Sequence, residues 1–95
     1  MKFCAERKPG LYRRVGIACG LEVMKCSDAE ADQRTIAFLA EFLAGLGLNT
    51  KLRDHSVKEE HLDALVAQAV EDPCHKTNAV PVSVEDFRKL YREVL

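Results

Sequence analysis

The sequence predicts an all-α protein, a small bundle of about four helices with mostly short connections and antiparallel neighbours. Three observations carry this. Apolar residues recur at three- and four-residue spacing in four separate stretches. Two of those stretches follow a Ser-x-x-acid start signal, and Gly or Pro marks where helices stop. No stretch shows a convincing strand pattern, and there is no internal repeat or low-complexity tract.

The first helix is expected between Pro9 and Gly20, where Leu11, Val15 and Ala18 recur at helical spacing. Pro9 suits a first turn and Gly20 a stop. Gly16 in its interior costs roughly 1 kcal/mol relative to alanine, so this helix is intrinsically weak. The second runs from the cap Ser27-Asp28-Ala29-Glu30 to about Ala44, with Gly45 and Gly47 as C-terminal caps. Ile36, Leu39, Ala40, Leu43 and Leu46 share one side, and Phe38 and Phe42 widen the apolar arc to about half the circumference. So wide an arc predicts either a central helix or one that offers a second face to something outside. After a turn over Asn49-Thr50-Lys51-Leu52-Arg53-Asp54, a third helix is expected from near Lys58 to Glu71. Its stripe is Leu62, Leu65, Val66, Ala69 and Val70, with Ser56 as the better cap chemically. Asp72 to Val82 is the one long loop, bounded by Pro73 and Pro81. Ser83-Val84-Glu85-Asp86 starts the fourth helix, whose apolar face is Val84, Phe87, Leu90, Tyr91 and Val94.

Ninety-five residues make one domain at most, expected to span 1–95. Fourteen basic residues stand against fifteen acidic ones, a net charge of −1. Phosphate binding needs a clustered basic surplus, so neither nucleic acid nor an anionic membrane surface is expected as a partner. No apolar run reaches the roughly 20 residues of a membrane span, and the N-terminus lacks a signal-like apolar core, which points to the cytoplasm. Cys4, Cys19, Cys26 and Cys74 have neither the spacing of a disulfide scaffold nor a CxxC pair, so thiols in a reducing compartment are expected.

Chemistry-bearing motifs are sparse. The sequence holds no GxGxxG, Walker loop, HExxH or GxSxG. A complete nucleotide-dependent enzyme needs a phosphate cradle, and none is encoded here. Of the three histidines, His61 reads as a boundary residue of the third helix and His55 as a turn residue. His75 sits in the long loop, where packing of the loop is its expected role. Cys74 follows a helix C-terminus, where the dipole disfavours a thiolate, so it is expected to line a pocket rather than attack. Cys19 is expected in the core, at the edge of the first helix.

These residues add up to an ordered series. Ala44-Gly45-Leu46-Gly47-Leu48-Asn49-Thr50-Lys51-Leu52-Arg53-Asp54 resembles the LGLPTRLRELG turn of iron-containing alcohol dehydrogenases. Val57 to Leu62 is similar to that family's next helix start, and Asp72-Pro73-Cys74-His75-Lys76-Thr77-Asn78 to its DPCxxTNPR loop. Ser83 to Phe87 and Tyr91 to Leu95 resemble its closing helix, and Met1-Lys2-Phe3 with Pro9 to Tyr12 its MRFN segment and the helix after it. The resemblance covers essentially the whole chain in one register.

It implies the C-terminal part of an all-helical domain in a dehydroquinate-synthase-like architecture. In that family the helical domain accompanies an N-terminal nucleotide-binding α/β domain, with the active site in the cleft between them. It also implies a parent that uses NAD(P) and a divalent metal, usually iron, held by one Asp and three His upstream of Met1. No catalytic, cofactor-binding or metal-binding residue therefore transfers to His55, His61 or His75. What transfers is Cys74 as a lining residue of the substrate pocket, with Asn78 beside it ordering the loop. Ala79-Val80 stands where the family has Pro-Arg. The implied partners are the missing nucleotide- and metal-binding parts of the parent enzyme. Self-association through exposed apolar surface is also expected. The alternative is a free-standing helical module that binds a protein partner through the second helix.

Overall fold

The computed structural model describes residues 1–48 and 50–95; Asn49, at the head of the predicted turn, lies outside the described residues. All regular structure among the described residues is helical. No helix there is long and apolar enough to cross a membrane. The chain divides into two compact units, Met1–Leu48 and Asn49–Leu95.

The first unit holds α1 (Lys2–Arg7), α2 (Arg13–Ala18) and α3 (Asp28–Gly45). The expected helix from Pro9 to Gly20 is thus corrected to a shorter one, and α1 precedes it as a separate turn and a half of helix. The reason lies in Asp32. Its carboxylate, 2% exposed, accepts the backbone N–H groups of Gly10 and Tyr12 at 2.7 Å each. Those donors are therefore held by a side chain of α3, and Gly10 adopts φ +88°, which interrupts any helix from Pro9 onward. In α1 the buried Cys4 faces inward and the Arg7 guanidinium lies 4.1 Å above the Phe3 ring.

The crossing of α2 on α3 explains the unfavourable Gly16. A Cβ there would stand 2.3 Å from Thr35 Oγ1 and 3.1 Å from Val23 Cγ2. Only glycine lets the two helices approach this closely. Thr35 is fully buried and satisfies its hydroxyl by donating to the Ala31 carbonyl at 2.8 Å. The connection into α3 is clamped by Arg13. Its guanidinium donates to the carbonyls of Val23, Met24 and Cys26 and pairs with Asp28 at 2.8 Å. Cys19, expected in the core, is exposed at the C-cap of α2. The interior contacts of that short helix are taken by Gly16 instead.

Both ends of α3 follow the sequence signals. Ser27 Oγ accepts the Glu30 N–H at 3.2 Å. At the other end Gly47, at φ +74°, donates to Ala44 while Leu48 donates to Leu43, the paired bonds of a Schellman stop. The buried side differs from the expected stripe. Ala31, Asp32 and Thr35 are the buried residues of α3. At 100° per residue they share an arc of about 120° with Phe42, Leu43 and Leu46. Yet Phe42 and Leu46 are 55% and 60% exposed. The helix has 18 residues, roughly 27 Å of rise, against six residues each in α1 and α2. Its covering helices stop short, and one continuous face is packed over its first half and open over its second.

The second unit is built on α4 (Leu62–Glu71) and α5 (Val84–Val94), which pack against each other. Leu62 and Val66 are the buried face of α4, and Phe87, Leu90 and Tyr91 are half-buried on α5. The start of α4 is corrected. Ser56 has φ 65° and closes a 3-10 turn over Leu52–His55, so its hydroxyl caps nothing. A second 3-10 turn, Glu59–His61, leads into α4, with the Lys58 N–H donating to His61 Nδ1 at 3.2 Å. The capping box of α5 is reciprocal: Ser83 Oγ accepts the Asp86 N–H and the Asp86 carboxylate accepts the Ser83 N–H. Arg88 reaches Asp63 at 3.1 Å and Arg92 reaches Glu59 at 3.2 Å. Both are exposed ion pairs, and each contributes at most about 1 kcal/mol.

Candidate functional site

The segment from Asp72 to Val82 is more ordered than a loop. Its first half, Pro73–Thr77, is a 3-10 turn. Asp72 caps it, its Oδ1 accepting the Cys74 N–H at 2.8 Å, and Pro73 supplies a first residue whose missing N–H loses nothing. Thr77 Oγ1 donates to the Cys74 carbonyl at 2.9 Å, and Asn78 Nδ2 donates to the Val80 carbonyl at 2.9 Å. Val80 is buried. His75 turns inward. Its ring meets Phe87 edge-on with centroids 5.5 Å apart, and its Nε2 donates to the Val70 carbonyl at 3.1 Å. With a carbonyl as its partner, Nε2 is the donor in this contact.

Of the two residues singled out from sequence, Asn78 lines a surface hollow of about 370 Å³ with His75, Lys76, Val80, Pro81 and Val82. Cys74 is exposed and does not line it. The Asp72 carboxylate, hydrogen-bonded to Cys74 and negatively charged, pushes the thiol up. The same hydrogen bonds, backbone first and then thiol, hold the Asp72 carboxyl below the usual range. The upward push disfavours the Cys74 thiolate, through a neighbouring carboxylate that the sequence argument from the helix dipole did not include. The capping role of Asp72 has a local signal in the sequence, since Asp before Pro-x is a recognisable turn start.

His61 is exposed beside Glu60, as a boundary residue should be. Among the described residues, no three His, Cys, Asp or Glu side chains stand together in a way that could hold a metal ion. The larger hollow of the first unit, about 570 Å³ between α1 and α3, is mostly apolar, with Ala5, Pro9, Ala29, Ile36, Ala37 and Ala40 among its walls. Neither Cys74, Asn78 nor any of the three histidines lines it.

Comparison with known proteins gives a consistent result. Residues 1–95 match the Fe-containing alcohol dehydrogenase family, C-terminal. The chain is 42% identical over 48 residues to 4-hydroxybutyrate dehydrogenase of Cupriavidus necator, covering 50% of this chain and 13% of that protein. It is 26% identical over 84 residues to NAD-dependent methanol dehydrogenase of Bacillus methanolicus, 88% of this chain and 22% of the relative. With lactaldehyde reductase of Escherichia coli K12 it shares 28% identity over 91 residues, 96% of this chain and 24% of the relative. The chain thus spans less than a quarter of the length of these curated relatives. No solved structure gives a significant match. With an all-helical architecture and a family match across its whole length, the chain belongs to the Fe-containing alcohol dehydrogenase family and corresponds to its C-terminal part.

Proposed function

We propose that this chain serves as the cleft-forming helical part of an NAD(P)-linked, metal-dependent alcohol dehydrogenase, with the Asp72–Val82 segment as one wall of the active site. The observation that carries this reading is the family match over residues 1–95. Three side-chain-to-backbone bonds stiffen the segment, a property suited to a wall. In this role Cys74 and Asn78 face the substrate side and take no part in bond making. The chain's own residues do not fit the iron that the family description names, because no suitable donor cluster exists among those described. Metal and cofactor are supplied by other parts of the enzyme, and the 95 residues alone do not turn over alcohol.

Two measurements test this. The isolated chain, assayed with iron or zinc, NAD(H) and simple alcohols, should be inactive; metal-dependent turnover refutes the incompleteness. Joined to the upstream part of a family member, the chain should support turnover. There Cys74→Phe should raise KM for the alcohol at least about threefold, the cost of crowding a substrate wall. An unchanged KM removes the segment from the cleft.

The open half of α3 favours a second reading. Phe42, Leu43, Leu46 and Leu48 are all exposed large apolar residues. A helical module that docks on a protein partner, or on a second copy of itself, uses such a face. Sedimentation of the isolated chain should show concentration-dependent association that Leu46→Glu abolishes. A monomer at high concentration speaks against the face as a self-association surface.

A further inference from the structure

We draw no further inference here: the strongest candidate, the mostly apolar groove between α1 and α3 with Ala29, Ile36, Ala37 and Ala40 among its walls, carries nothing, because nothing in the structure shows what covers it.

Discussion

Replacing Gly16 with alanine tests the close crossing of α2 on α3. Helix propensity alone favours alanine by roughly 1 kcal/mol. Against this stands the new methyl, which would lie 2.3 Å from Thr35 Oγ1 and 3.1 Å from Val23 Cγ2. The first distance is far inside van der Waals contact, so something must move. Thr35 is wholly buried, and turning its hydroxyl away breaks the bond to the Ala31 carbonyl. Moving α2 instead strains the Tyr12 and Gly10 bonds to Asp32. Overpacking of this kind costs about 1–3 kcal/mol, and an unsatisfied buried hydroxyl about 1–3 more. After the propensity gain, a net loss of about 1–5 kcal/mol is expected. At about 4–8 °C per kcal/mol for a chain of this size, Tm should fall by at least about 4 °C. Far-UV circular dichroism during heating and urea titration measures both. Thr35→Ala removes the clashing oxygen, so the Gly16→Ala/Thr35→Ala double variant should lose at least about 1 kcal/mol less than the sum of the singles. A Gly16→Ala chain as stable as the parent, or strictly additive losses, would refute the close-crossing argument.

Other expectations follow from the same reasoning. Asp32→Asn exchanges an acceptor pair for one oxygen and one donor, leaving a buried N–H facing an amide NH₂; a loss of about 2–3 kcal/mol in urea titration is expected. Ser83→Ala removes the cap of α5 and should cost about 1 kcal/mol, read as a lower midpoint without a change in slope. Asp72→Asn should lower the Cys74 thiol and speed its alkylation by iodoacetamide at mildly alkaline pH, while an unchanged rate removes Asp72 as the cause. The Asp72 carboxyl is held low in the folded chain. Its contribution to the turn is therefore full above the ordinary carboxylate range and disappears as pH falls through the lowered folded value. The Cys74 amide resonance should report that transition, and Asp72→Asn should erase it.

The fold class was legible because helical periodicity is a local property. Ser27 and Ser83 cap the predicted helices by accepting the N–H three residues on, with the reciprocal bond at Ser83, and Gly47 ends α3 as its position suggests. What stayed hidden depends on residues distant in sequence. Leu11, Val15 and Ala18 have helical spacing, but the backbone around Gly10 and Tyr12 is claimed by Asp32. Polar Asp32 and Thr35 sit on the buried side of α3 because partners satisfy them, and a hydrophobicity count places such residues outside. At the candidate site, Cys74 came from its position after a helix end and from the resemblance, and Asn78 from the resemblance alone. Geometry keeps Asn78 at the hollow, leaves Cys74 outside it, and brings in Lys76, a residue no motif marks.

The carboxylate of Asp32 also sets an order of events. Its two backbone partners lie 22 and 20 positions earlier in the chain. While the polypeptide is being made, Gly10 and Tyr12 emerge before their acceptor exists. The turn that launches α2 has no stabilising anchor until α3 has formed at least its first turns. α2, with six residues, is far below the length at which an isolated helix holds in water. The N-terminal region should therefore acquire its structure late, templated backwards by a helix that follows it in sequence. In hydrogen exchange this appears as shared protection: the Gly10 and Tyr12 amides should open together with Asp32's own helix, never before a separate opening of α2 alone.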